Sequence, residues 1–452
     1  MRRFILTLLS GLLLFSLLQA QSPPTAQDEW AKPIKQAKAF IGLLQNSAFD
    51  SATALFDKTM KDALPAEKLQ SMWKTLQDQM GAFQEQGAVR TEKVQTYHVV
   101  YVTCVFKEGK LDAKIVLDPK NKIAGLYFVP HREAGSYKLP EYVNPKAFTE
   151  IDTLKLPTSW RLPASLSLPN GGGPFPAIVL VHGSGPNDRD ETIGTNKPFK
   201  DLALGLASRG IAVLRYEKRT HRYPNILDSL KGQFTVMDET VDDALSAADF
   251  LRNIKGIDPH RIVILGHSLG GTLVPRMAHL DPRLAGFIIM AGAARPLPQL
   301  MKEQYRYIFN LDGRISKAEQ RKLHQLDSLI ALITSPEYLN MANPNALILG
   351  APPAYWKDLL RYDPLKYADR LRKPVLVMQG GKDYQVTKKD FLLWKQHLQS
   401  NPKAVFKFYP NLNHLFMECK GKPSPSDYEI PAHVAPEVIT DIARWVHRQF
   451  GK

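Results

Sequence analysis

The chain predicts an α/β protein, a doubly wound and mostly parallel sheet with a helical cap insertion, preceded by a small α+β domain. Three observations carry that expectation. From about residue 175 onward, short apolar runs rich in β-branched residues alternate with helical stretches, the rhythm of a parallel sheet covered on both faces. Over about 296–367 that rhythm breaks, because the stretch has helical spacing and no confident strand. Ahead of both, helical patterns come first and alternating strand patterns after, as in a segregated α+β unit. A length of 452 residues exceeds what one core usually holds, so two domains are expected.

The first twenty residues belong to neither domain. Met1-Arg2-Arg3 is basic and Phe4 to Leu18 is almost unbroken apolar sequence, with Ala20-Gln21 as the cleavage point. Residues 1–20 therefore read as a secretory signal peptide, too short to span a bilayer comfortably. The mature protein is expected to be secreted or periplasmic, with no stable membrane insertion after cleavage. The net charge of +15 is spread along the chain without a Lys/Arg run, so a solvated basic surface is expected and no nucleic-acid partner. Cys104 and Cys419 lie far apart; they make no disulfide framework and have no metal-ligand spacing.

Residues 27–130 form the α+β domain. Helical spacing covers Ala37 to Leu44, Ala52 to Met60 and Lys68 to Phe83, and strand alternation covers Val94 to Phe106, Lys110 to Leu117 and Lys122 to Val129. No convincing acid/base cluster stands among them. FDKTMKDALPAEKL and the closing IAGLYFVP resemble the DUF3887 domains, cone-shaped α+β modules found ahead of hydrolase domains. The resemblance implies a folding or substrate-screening appendage. A linker over 131–145 follows.

The second domain spans 146–452. Phe148 to Leu168 gives two antiparallel strands interrupted by Pro157 and Pro163, and Ala177 to Val181 is a buried strand. His182-Gly183-Ser184-Gly185-Pro186 follows at once, a glycine-rich turn that can aim backbone amides, most simply that of Ser184, at a developing oxyanion. Lys200 to Arg209 and Val241 to Leu251 read as helices, with the strand Ile211 to Tyr216 between them.

Then Ile262-Val263-Ile264-Leu265 runs into Gly266-His267-Ser268-Leu269-Gly270 and on into a helix containing Pro275. A strand, G-x-S-x-G and a helix make a nucleophile elbow. The turn forces Ser268 into strained backbone angles and leaves no room for side chains at 266 and 270. The helix aims its positive end at Ser268, and the Leu269 amide becomes a second oxyanion donor. After the strand Gly286 to Met290, the cap over about 296–367 offers Tyr305, Tyr307, Tyr338, Tyr355 and Trp356 as possible pocket lining, with core packing as their commoner fate.

The rhythm resumes with Pro374 to Gln379, followed by Gly380-Gly381-Lys382-Asp383, which sets an Asp just past a strand end. His414 stands in the loop after the last strand, Ala404 to Tyr409, where a general base belongs. His433 is its rival; His182, His397 and His447 read as structural. The chain order Ser268, Asp383, His414 differs from the order in chymotrypsin-type and subtilisin-type enzymes.

HGSGPNDRDE, GHSLGGTLVPR, QGGKDYQV and YPNLNHLF resemble the α/β-hydrolases of the serine aminopeptidase S33-like esterase group, over residue 145 to the end. The resemblance implies Ser268 as nucleophile, His414 as base, Asp383 as orienting acid, and an acyl-enzyme without metal or organic cofactor. It also implies a small-molecule ester or a short peptide as substrate. An aminopeptidase would need carboxylates aimed into the pocket for a substrate ammonium, and Asp188, Asp190 and Glu191 are the nearest in sequence. A carboxylesterase is favoured; an aminopeptidase and a catalytically inactive binding protein on the same fold are the alternatives.

Overall fold

In the computed structural model the described residues are 26–94, 96–131, 137–223, 230, 232–341 and 346–451. The signal-peptide stretch and part of the linker lie outside them. The chain divides into two compact units, Met1–Ala134 and Gly135–Lys452.

The first unit packs helices Ala26–Gln45, Phe49–Thr53, Lys58–Ala63 and Ala66–Met80 on a four-stranded antiparallel sheet. Its strands are β1 (Phe83–Val94), β2 (Tyr97–Phe106), β3 (Gly109–Leu117) and β4 (Ile123–Pro130), in sequence order. Phe40, Leu69, Trp73, Val102, Cys104 and Ile115 are among its buried core side chains. Two expectations need correction. Phe83–Val94 is a strand, missed because FQEQGAVRTEKV is polar and lies at the sheet edge, where register shifts break its alternation. The helix expected over Ala52 to Met60 is two short ones, because Asp57 caps the second by accepting from the Met60 amide at 2.7 Å. Cys104 is a buried free thiol, which burial pushes up to about 12, and Cys419 is free as well.

The second unit is built on eight strands: β5 (Phe148–Lys155), β6 (Pro163–Pro169), β7 (Phe175–Val181), β8 (Ala212–Tyr216), β9 (Ile257–His267), β10 (Gly286–Met290), β11 (Val375–Gly380) and β12 (Ala404–Tyr409). Their order across the sheet is β12-β11-β10-β9-β7-β8-β6-β5. β7 to β12 run parallel, and β6 and β5 close one edge antiparallel. Alternate residues feed two separate cores: Ala177, Val179, Ile262, Ile264, Phe287 and Val375 face one side. Ile178, Leu180, Val263, Leu265, Ile288 and Leu376 face the other. Both faces are covered by helices, which is why these strands read as unbroken apolar runs.

Strand order sets the site. The chain moves outward from β7 to β8, then returns past β7 to β9 and onward in the opposite direction. The switch lies between β7 and β9, paired from Phe175↔Ile257 to Val181↔Gly266, and ligands in such sheets bind beyond the strand ends at that point. Helices Leu297–Phe309, Lys317–Ile333, Pro336–Leu339, Pro353–Arg361 and Pro364–Ala368 are inserted between β10 and β11 and form the cap. No helix among the described residues is long and apolar enough to cross a membrane.

Candidate active site

The elbow follows from its glycines. Ser268 has φ 52° and ψ −116°, between the end of β9 and helix Leu269–Leu280. A methyl on Gly266 would stand 2.3 Å from the Gly270 backbone, and one on Gly270 2.3 Å from the Val181 carbonyl oxygen. Those approaches are backbone to backbone, so neither site tolerates a side chain. The Ser268 amide donates to the Met290 carbonyl at 3.0 Å, which holds the strained residue onto β10. Helix Leu269–Leu280 continues through Pro275.

Asp383 lies just past β11 and His414 just past β12, and those strands are neighbours. His414 Nδ1 stands 2.7 Å from Asp383 Oδ2. The amides of Gln385 and Val386 donate to Asp383 Oδ1 at 2.8 and 2.9 Å, and Gln379 Nε2 donates to Oδ2 at 3.1 Å. A carboxylate held on all sides fixes the imidazole tautomer and leaves Nε2 for the serine. Among the described residues no direct hydrogen bond joins Ser268 Oγ to His414; such contacts often tighten only with substrate.

His414 is tied to the elbow through its backbone. His267 Nε2 stands 3.0 Å from the His414 carbonyl oxygen, and the two rings are 4.7 Å apart. On its other side, His267 Nδ1 makes a 2.8 Å ion contact with Glu191 Oε2, at an angle poor for a hydrogen bond. Both ring nitrogens thus face oxygen atoms. Burial opposes a charge on the ring, but the Glu191 carboxylate outweighs it and holds His267 above its ordinary value. Burial would likewise raise Glu191; the His267 charge brings it below the usual range.

The other histidines are engaged elsewhere. His433 pairs with Asp201 at 3.1 Å, and His182 Nε2 contacts the Asp188 carbonyl at 3.0 Å. Burial pushes His182 down to about 4, which leaves it neutral. His397 pairs with Asp369 and His447 contacts the Arg209 carbonyl.

Ser184, Ser268 and Leu269 line one cavity of about 120 Å³ under the cap. Gly183 packs against Ser268: a methyl there would sit 3.1 Å from Ser268 Cβ. Among the described residues, the amides of Ser184 and Leu269 donate to no protein group, which leaves both open to an oxyanion. Leu297, Leu300, Leu359, Leu360 and Tyr362 make the cavity largely apolar. The five aromatic residues offered as possible lining are absent from it, in keeping with core packing as their commoner fate. Tyr338 and Trp356 donate to cap carbonyls, Tyr355 to Glu239, and Tyr307 to the Pro423 carbonyl, while Tyr305 is exposed. Arg295 reaches the cavity with its charge matched by Asp390 at 2.8 Å and Glu303 at 2.7 Å.

Sequence reasoning passed over Lys218, Glu239 and the pairing role of His267. The signal for Lys218 was present: Glu217-Lys218-Arg219 directly follows the buried strand β8, where a run of charge must find partners or face a ligand. No group of three or more potential metal ligands occurs among the described residues.

The alpha/beta hydrolase family model matches residues 178–423, and the DUF3887 model matches residues 37–126. Esterase EstD from Thermotoga maritima is 38% identical over 412 residues, 91% of this chain and 95% of that protein. 2,6-dihydropseudooxynicotine hydrolase from Paenarthrobacter nicotinovorans is 24% identical over 189 residues, 39% of this chain and 46% of that protein. Among solved structures, the Pyrococcus horikoshii acylaminoacyl peptidase aligns with a TM-score of 0.45 at 14% identity, covering 81% of this chain and 56% of that one. The chain, with its elbow serine beyond β9 and the Asp–His pair beyond β11 and β12, belongs to the α/β-hydrolase family.

Proposed function

We propose that the protein is a carboxylesterase that cleaves small esters through an acyl-enzyme on Ser268. His414 Nε2 takes the proton as Ser268 Oγ attacks the ester carbonyl. The oxyanion forms beside the amides of Ser184 and Leu269, and Asp383 stabilises the imidazolium. Collapse breaks the C–O bond, and His414 gives its proton to the departing alkoxide. Water then attacks the acyl-enzyme with His414 again as base, which releases the acid and restores Ser268.

The state of the nearby carboxylates carries the choice of ester over peptide. Asp188 accepts from the amides of Asp190 and Thr192, Asp190 pairs with Arg215 and Lys197, and Glu191 with His267 and the Gly183 amide. In the cap, Glu303 pairs with Arg295, Asp327 with Lys302, and Glu319 caps its own helix. Among the described residues no acidic side chain lines the cavity, so an α-ammonium would enter a largely apolar space without a counter-charge. The cavity approaches the roughly 150 Å³ of an engineered apolar void that takes up benzene, which suits a short acyl chain. The 38% identity to an esterase over most of the chain supports the same reading.

The test compares kcat/KM on p-nitrophenyl acetate and butyrate with alanyl- and prolyl-p-nitroanilides. Esters should be turned over faster. Anilide turnover equal to or above ester turnover, and lost on N-acetylation of the substrate, would make it an aminopeptidase. We further propose a location outside the cytoplasm, supported by the basic start and apolar run of residues 1–20. N-terminal sequencing of protein from its native host should read from near Gln21; an intact Met1 in the membrane fraction would overturn this.

A further inference from the structure

The peptide unit between Gly183 and Ser184 is held from behind by a buried lysine. Gly183 and Ser184 follow β7, and the carbonyl of Gly183 shares one planar group with the Ser184 N–H. Lys218 Nζ donates to that carbonyl at 2.7 Å, and Asn187 Nδ2 also reaches it at 3.2 Å. The Gly183–Ser184 bond is trans, since the one cis peptide among the described residues is Gly173-Pro174. In a trans peptide the N–H points opposite to the C=O. Fixing the Gly183 carbonyl on Lys218 therefore aims the Ser184 N–H away from the lysine. Ser184 lines the cavity together with Ser268 and Leu269.

The lysine is itself fixed. It is 1% exposed, and Nζ also donates to Glu239 Oε1 at 2.6 Å. The second Glu239 oxygen accepts from Tyr355 Oη at 2.6 Å, and Tyr355 belongs to cap helix Pro353–Arg361. Glu239 sits in a π-helical turn, Met237–Val241, a departure from regular helix of the kind often found at functional sites. A continuous chain of hydrogen bonds thus runs from the cap, through Tyr355, Glu239 and Lys218, to the peptide that presents Ser184.

We propose that Lys218 is a positioning residue of the oxyanion site, which aims and polarises the Ser184 N–H through the Gly183 carbonyl, and that Glu239 and Tyr355 couple the seating of the cap to it. This rests on Ser268 as nucleophile and Ser184 as oxyanion donor. A cation on the carbonyl oxygen draws electron density from the amide nitrogen, and in a water-poor site that strengthens the N–H as a donor. A lysine that served stability alone would need only to neutralise Glu239. This one also engages the carbonyl of the peptide whose nitrogen belongs to Ser184, which lines the cavity with Ser268. Lys218, Glu239 and Tyr355 do not line the cavity, so their removal should leave ground-state binding largely intact.

The test uses the full chain. Lys218→Met should lower kcat on p-nitrophenyl butyrate by roughly tenfold to a hundredfold, short of the 10²–10³ lost with a whole oxyanion donor. KM should stay within about twofold, the pattern of an interaction made only in the transition state. The inhibition constant of butaneboronic acid, which forms a tetrahedral adduct on the serine, should rise by the same factor as kcat falls. Should Lys218→Met fail to fold, Tyr355→Phe and Glu239→Gln carry the test, with kcat about threefold to tenfold lower at unchanged KM. A folded Lys218→Met with wild-type kcat, a change in KM alone, or an unchanged boronate constant would overturn the proposal. Wild-type kcat in both Tyr355→Phe and Glu239→Gln would overturn the link to the cap. Fluorophosphonate labelling of the wild-type protein separates the underlying reading: absence of label on Ser268 removes the nucleophile itself, whatever Lys218→Met does.

Discussion

His414 and His433 both occupy loops in the last part of the chain, and only their partners separate them. His414 contacts Asp383 and the elbow residue His267; His433 contacts Asp201 and stands edge-on to Tyr137. Ser268→Ala should therefore fold and lose about 10⁴–10⁶ of kcat, and His414→Ala should lose a similar amount. Asp383→Asn should be somewhat milder, because a misoriented imidazole still acts occasionally. His433→Ala should keep activity within about threefold, since it gives up one partly exposed ion pair. Assay of purified variants on an aryl ester checks all four; a dead His433→Ala would reverse the assignment of the base. Ser268, Asp383 and His414 stood out in the sequence because each follows a strand within a few residues. Lys218 was not legible as part of the site, and Glu191 was read only as a carboxylate that could meet a substrate ammonium. Their roles depend on partners met only through the fold, at Gly183, Glu239 and His267.

At the scale of elements, the turn after β9 is defined by close backbone approach. Gly266→Ala would drive a methyl to 2.3 Å from the Gly270 carbonyl carbon and oxygen, which no side-chain rotation relieves. It should cost about 3 kcal/mol or more in denaturant unfolding and abolish activity even where some protein folds. The Glu191–His267 pair ties the turn after β7 to those after β9 and β12. Removing one partner of such a buried pair costs about 3–5 kcal/mol, so His267→Gln should be strongly destabilised, with a definite pH dependence. His267 is held above its ordinary 6.5, so its contribution is complete below 6.5 and fades as pH climbs through the raised value. Glu191 is held below its ordinary 4.5, so its contribution is complete above 4.5 and fades as pH falls through the lowered value. The gap in melting temperature between wild type and His267→Gln should thus be widest between 4.5 and 6.5 and shrink at alkaline pH. A gap independent of pH would mean a neutral His267. Buried strands such as β7, β9 and β11 announce themselves as apolar runs, whereas β1 carries polar residues at an edge and escapes the same reading.

Among the described residues, the buried hydrophobic clusters of the first unit and of the second share no residue. Phe40, Trp73 and Ile115 belong to the first unit's core, while the two cores flanking the larger sheet begin at Leu156 and Ile178. Every proposed catalytic group, both proposed oxyanion donors and the cavity lie in Gly135–Lys452. The order of patterns along the chain, helices then strands and then strands alternating with helices, made that division legible before any contact was known. The first unit's role was not legible in the same way, because its sequence forms no convincing acid/base cluster, and the contacts of Asp112 with Thr103 and His131 are met only through the fold. A chain beginning at Tyr137 keeps the hydrogen bond from Tyr137 to Asp201, which anchors the new terminus at 2.6 Å. It should fold, react with a fluorophosphonate at Ser268, and hydrolyse p-nitrophenyl acetate within about tenfold of the full chain. The full chain should in turn show two calorimetric transitions, as separate cores allow, with one missing from the truncated form. A truncated protein that folds yet fails to label at Ser268 would mean that the first unit is required to assemble the reacting groups, and its role would then be catalytic support.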